Sequence, residues 1–152
     1  MIAAALLLVA SVSTPLTQDL ETLGGAPFSL ESALARGPVV MVFWNSWLPE
    51  STASIPVIRD IERAAQEHGW PGVIVVFQDE SNAARDVLSH EGARLPTVMD
   101  RRGALLRRFQ VTRAPSLLVI DRGGQVLSRS GLDPAQVRAV LKSLADRPVP
   151  LR

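Results

Sequence analysis

No cysteine occurs anywhere in the 152-residue chain. Without a thiol there is no disulfide, no thiolate nucleophile, no iron–sulfur cluster and no cysteine-ligated zinc. Histidine is scarce too: His68 and His90 are the only two, too few for a histidine-rich metal centre. Lysine is reduced to Lys142, so the basic residues are almost all arginine. An arginine surplus suits anion recognition, and it also follows from a GC-rich coding sequence. The net charge of +1 lacks the one-sided excess that marks a nucleic-acid binder. No phosphate-cradling glycine loop is present, because Gly24-Gly25 and Gly123-Gly124 are isolated pairs in turns.

The rest of the composition is globular. Apolar residues make up 47% and charged residues 20%, enough for a core and too little charge for a disordered tail. The length fits one domain, since compact domains usually run ~100–150 residues. There is no internal repeat and no low-complexity tract.

Residues Ile2 to Val12 form an apolar run of 11 residues. That is short of the ~20 needed to span a bilayer as a helix. Its length and small residues suit the apolar region of a signal peptide, with Ser11-Val12-Ser13 as a cleavage site. The positively charged start of such a peptide is missing, so an uncleaved anchor and an N-terminal core helix remain as alternatives. Lipidation is excluded, because it needs a cysteine. The expected division is an export or apolar segment at 1–13, a linker at 14–27, a domain at 28–146 and a tail at 147–152.

Three continuous apolar runs read as strands buried on both faces: Val39 to Trp44, Val73 to Phe77 and Ser116 to Ile120. Ser51 and Thr52 are placed to cap a helix running to about His68, with Pro56 in its first turn or at a kink. Ser81 is placed to cap a helix to about His90. A short extended piece at 95–99 and a short helix from Ala104 to Phe109 follow. Asp121-Arg122-Gly123-Gly124 reads as a hairpin turn before a return strand from Gln125 to Ser130. Asp133-Pro134 reads as an N-cap with proline at the first helical position. Val137, Val140, Leu141 and Leu144 then keep helical spacing. Alternating early units with a late hairpin imply an α/β fold with a mixed sheet.

Several phrases in this order resemble the thioredoxin superfamily, in particular its TlpA/ResA-like, extracytoplasmic redoxin branch. In that branch a buried strand ends in Phe-Trp, and Trp-Cys-x-x-Cys opens a helix after a short loop. Here Phe43-Trp44-Asn45-Ser46-Trp47-Leu48-Pro49-Glu50-Ser51 keeps the frame and replaces both cysteines, by Leu48 and Ser51. Arg113-Ala114-Pro115-Ser116 is similar to the family's cis-proline loop, and Asp121 to Val126 is similar to its hairpin. The resemblance runs from about Phe28 to Ala145. It implies a three-layer α/β/α sandwich with a central mixed sheet, an antiparallel C-terminal hairpin and a C-terminal helix.

In that family the helix N-terminus stabilises a thiolate, which attacks a disulfide before the second cysteine resolves the intermediate. Leu48 has no nucleophilic atom. The alcohol of Ser51 ionises far above neutrality and has no nearby histidine in sequence, so its expected role is a helix cap rather than a nucleophile. Met41-Val42-Phe43 offers no buried acid for moving protons. Glu50 is read as a first-turn acid rather than a general base. His68 and His90 are read as helix C-terminal residues rather than metal ligands. No catalytic residue, cofactor or metal is expected.

The resemblance also implies a groove in which the proline loop pairs with an extended peptide, a task that needs no sulfur. Its candidate residues are Trp47, Leu48, Pro49, Arg113, Ala114 and Pro115. Trp44 is expected in the core and Trp47 on the surface. Arg113, with Arg101, Arg102, Arg107 and Arg108, gives either a basic rim suited to an acidic segment or simply a solvated face. Three functions are open: an exported, redox-inactive peptide- or protein-binding module; a thiol–disulfide oxidoreductase by family membership; and a structural subunit of an envelope assembly. Nucleic acid is not an expected partner, and membrane contact is expected only through residues 2–12.

Overall fold

A computed structural model of the chain describes residues 20–148. The apolar run at 2–12 expected to serve export, and positions 149–152 of the expected tail, lie outside the described residues. The chain begins with β1 (Leu20–Glu21) and β2 (Pro27–Phe28), then α1 (Leu30–Arg36) and β3 (Val39–Trp44). Next come α2 (Pro49–Ala53), α3 (Ile55–His68), β4 (Gly72–Val76), α4 (Ser81–His90), β5 (Thr97–Met99) and α5 (Ala104–Arg108). It ends with β6 (Ser116–Ile120), β7 (Val126–Gly131) and α6 (Pro134–Ala145).

Five of these strands form one sheet in the order β5-β4-β3-β6-β7. The pairs β3–β4 and β4–β5 are parallel, whereas β3–β6 and β6–β7 are antiparallel. All six residues of β3 are buried, which explains why its sequence is uninterrupted by polar residues. Its side chains alternate between two cores. Val40, Val42 and Trp44 face a layer formed by α3, α4 and α6, through Ile58, Leu88 and Val137 among others. Val39, Met41 and Phe43 face α1 and α5, through Leu30, Leu34 and Leu105. The result is the mixed three-layer α/β/α sandwich, with its C-terminal hairpin and helix.

Several boundaries follow from local chemistry. Ser29 caps α1, its hydroxyl oxygen accepting from the Ser32 N–H at 3.1 Å. Asp133 caps α6, accepting from the Ala135 and Gln136 N–H groups, and Pro134 fills the first turn. Gly69 closes α3 in the left-handed region at φ 69°, which a side chain would disfavour. In the β6–β7 turn, the Asp121 carboxylate accepts from the N–H groups of Gly123 and Gln125.

Two expectations are corrected. The single helix expected from Ser51 to His68 is two helices, broken at Ser54. Its start lies earlier because Pro49, with its preset φ, takes a first-turn position and Leu48 becomes the cap residue. Pro56, lacking an N–H, falls in the first turn of α3 just after the break. The second correction concerns the linker. Residues 20–27 are docked rather than free: β1 and β2 pair antiparallel, the Leu23 N–H donates to the Thr97 carbonyl at 2.8 Å, and Leu20 is buried. The Arg85 guanidinium donates to the Leu23 carbonyl and pins the same segment to α4.

Candidate functional site

The positions carrying the family frame gather at the end of the sheet where β3 finishes and β6 begins. Trp44 is completely buried on β3, as expected, and anchors the following loop from beneath. Its indole N–H reaches the carbonyl of Ser51. Asn45, also buried, accepts the Leu48 N–H on its Oδ1 at 3.1 Å. Asp79, after β4, accepts from the Ser46 backbone N–H, the Ser46 hydroxyl and the Glu80 N–H. The loop from Asn45 to Leu48 is therefore fastened at both ends.

Leu48 occupies the N-cap of α2 without a side-chain capping bond, because it has no polar atom to give one. Ser51 lies inside α2 rather than at its start. The expectation that Ser51 caps the helix is thus overturned: its hydroxyl is fully buried and has no hydrogen-bond partner among the described residues. Two neighbouring atoms share that condition, Asn45 Nδ2 and Ser116 Oγ. A buried polar atom without a partner costs about 1–3 kcal/mol. A thiol at position 51 would lose little there, since sulfur hydrogen-bonds weakly.

Trp47 is the one large hydrophobic residue strongly exposed among the described residues, at 57%. It is not loose. Its indole N–H donates to the carbonyl of Gln78 at 2.9 Å, and Gln78 itself holds a left-handed φ of 47°. This draws the ring toward the β4 side of the loop. Glu50 and Pro49 are exposed on the first turn of α2.

The Ala114–Pro115 peptide bond is cis. Pro115 lines two cavities. One, of about 570 Å3, also contains Arg113, Ala114, Ser116 and, from β7, Arg129. The other, of about 440 Å3, runs between α2–α3 and the β7–α6 connection, with Glu50, Ala53, Val57, Leu132 and Asp133 in its wall. Of the six expected groove residues, Arg113, Ala114 and Pro115 share one cavity, while Trp47, Leu48 and Pro49 line neither. Glu50 and Ala53, from the same helix as Pro49, take that side instead.

Three of the other arginines expected near Arg113 are engaged elsewhere. Arg101 donates to the Ser81 hydroxyl, Arg107 to the Arg102 carbonyl, and Arg108 lies 5.7 Å over the Phe109 ring. The residue that joins Arg113 is Arg129, which sequence reasoning did not single out. Arg129 pairs with Leu118 across β6–β7 and so shares its face, a placement that only the strand register supplies. His68 ends α3, with Nδ1 3.0 Å from the Ala64 carbonyl and its ring stacked on Trp70 at 4.3 Å. His90 ends α4.

Chemically, the site offers a shaped, partly apolar cleft and backbone groups, with no sulfur to exchange. The Redoxin family model matches residues 10–141. A curated "Thioredoxin-like protein" of Haemophilus influenzae is 28% identical over 114 residues, 74% of this chain and 66% of that protein. The "Thiol-disulfide oxidoreductase ResA" of Bacillus cereus is 24% identical over 110 residues, 72% of this chain and 61% of that one. The chain thus spans less than two thirds of the length of these curated relatives. Among solved structures, a secreted Mycobacterium tuberculosis disulfide oxidoreductase superposes with a TM-score of 0.70 at 19% identity, covering 84% of this chain and 96% of that one. The matched fold, the preserved frame around Trp44 and the span of the family model place this chain in the Redoxin family, as a member in which Leu48 and Ser51 stand where its thiol–disulfide relatives carry cysteines.

Proposed function

We propose that this chain is a redox-inactive Redoxin-family protein that holds an extended peptide or protein segment beside Pro115, outside the cytoplasm. The carrying observation is the contrast within one site. Both thiol positions are gone, yet the cleft bounded by α2–α3, Pro115 and the β7–α6 connection persists at about 440 Å3. Strand addition in such a cleft draws on backbone hydrogen bonds and side-chain pockets, neither of which needs sulfur. Trp47, fixed and exposed on the loop before α2, lines neither cavity and is a separate aromatic contact on the β4 side, of a residue type that dominates binding energy at interfaces. Export is supported by the apolar run at 2–12 and by the description of the M. tuberculosis relative as secreted.

The test uses the full chain titrated with labelled, unstructured peptides. Saturable binding is expected, and it is lost in Ala53→Trp, which fills the cleft from an exposed helix position while leaving the circular dichroism unchanged. Absence of binding by every peptide refutes the proposal. A dithiothreitol-initiated insulin reduction assay is expected to show no turnover above buffer.

A further inference from the structure

Pro115 stands between two cavities of opposite charge. The larger contains Arg113 and Arg129 and no acidic residue. The smaller contains Glu50 and Asp133 and no basic residue. Their apolar walls belong to different cores: Leu118 of the first lies in the core under α1 and α5, whereas Val57 and Leu132 of the second pack in the core under α3 and α6; Gln136 of α6 also lines the first. Pro115 is the residue where they meet.

These charges are not used up inside the molecule. Only two salt bridges occur among the described residues, Arg63–Asp60 and Lys142–Asp146, and both are remote from Pro115 in sequence. The side chains of Arg113, Arg129 and Glu50 have no hydrogen-bonding or ionic partner among the described residues. Asp133 spends its Oδ1 on capping α6 and leaves Oδ2 open. Two guanidinium groups sharing one cavity repel each other, and a carboxylate placed there relieves the repulsion while accepting their fork-shaped hydrogen bonds. A cation opposite Glu50 gains in the same way.

We propose that the two cavities sort extended segments by charge order: a carboxylate side chain goes to Arg113 and Arg129, a cationic side chain goes to Glu50 and Asp133, and the backbone crosses Pro115 between them. This rests on the groove reading above and adds the chemistry of the occupant. Complementary charge here supplies selection and register rather than most of the affinity, because all four side chains are exposed.

The experiment titrates the full chain with labelled peptides built on one neutral, extended host sequence. One series carries a single Glu and a single Lys, in both orders, separated by two to five residues. Controls carry two Glu, two Lys or neither. The best Glu/Lys arrangement is expected to bind about tenfold tighter than the neutral host and tighter than either like-charged control, at low salt. The advantage should collapse as salt shortens the screening length. The double variant Arg113→Glu, Arg129→Glu, altered only at exposed positions, should turn the preference toward two Lys. Equal affinity for patterned and neutral peptides overturns the charge sorting while leaving the groove reading standing, provided Ala53→Trp still abolishes binding. Equal affinity for two Glu and for Glu/Lys also overturns it, because the acidic cavity then takes no part. Binding of no peptide overturns the groove reading, and this inference with it.

Discussion

Trp44 donates its indole N–H to the carbonyl oxygen of Ser51 at 2.8 Å. The same carbonyl accepts the Ser54 hydroxyl at 2.6 Å, at the break between α2 and α3. A strand buried on both faces is thereby joined to the helix break by one side chain. Trp44→Phe keeps the aromatic packing and removes the donor. It should lower unfolding free energy by about 2 kcal/mol, combining a lost hydrogen bond with lost volume in a close-packed core. The urea midpoint measures it, and an unchanged midpoint would show that Ser54 alone satisfies the carbonyl.

Ser51 carries a buried hydroxyl with no partner among the described residues. Ser51→Ala removes the unpaired group and leaves a small hole. The first effect should exceed the second, giving stabilisation of about 1 kcal/mol in thermal unfolding. Ser51→Cys should stabilise as well, since sulfur fills the space and tolerates an apolar setting. Destabilisation by both variants would mean that the hydroxyl is satisfied in solution.

Leu48 stands at the N-terminus of α2 and Ser51 is buried within that helix. The double variant Leu48→Cys, Ser51→Cys is therefore expected to reduce insulin measurably where the parent does not. The thiol of position 48 should titrate below the ordinary range of a free cysteine, because unpaired N–H groups at the helix start favour thiolate. Iodoacetamide labelling against pH reads that shift. An inactive double variant with intact fold would show that the loop geometry has drifted along with the thiols.

Asp79 ties the loop before α2 to the turn after β4 through two hydrogen bonds accepted from Ser46, and accepts a third from Glu80 within its own turn. Asp79→Ala should cost about 1–3 kcal/mol, since hydrogen bonds to a charged group are the stronger kind. It should also raise acrylamide quenching of tryptophan emission, as Trp47 loses its fixed surroundings. Stability lost without any change in quenching would place the Trp47 restraint wholly in its own bond to Gln78.

Asp133→Ala removes the cap of α6 and should cost about 1 kcal/mol. The same variant thins the acidic cavity, so the preference for a cationic side chain should weaken in the peptide series. A stability change without a change in preference would assign that cavity's charge to Glu50 alone.

The architecture was legible because its strongest signals are local and long. The uninterrupted runs at 39–44 and 116–120 have one reading in an α/β chain, and the Asp121–Gly124 turn states its own geometry. What escaped depends on contacts between distant residues. Gly24-Gly25 looks like linker punctuation until Leu23 is seen bonded to Thr97, and two-residue strands carry no periodicity. Ser51 has the composition of a cap and the location of a core residue; Pro49, two positions before it, decides the helix start. Arg129 becomes a companion of Arg113 only once the β6–β7 register is known.

The two margins of the sheet are treated differently. Along β5, Thr22 bridges to Val98 and Leu23 bonds Thr97, so the hairpin lies against that margin like a hem. Along β7 no further strand follows among the described residues, and the strand carries Arg129 between Ser128 and Ser130. Polar and charged residues are how exposed margins discourage pairing. Should two copies nevertheless join through β7, the symmetric pair would present only hemmed margins outward. Growth by sheet extension would then stop at two chains, and a filament would have no end from which to lengthen.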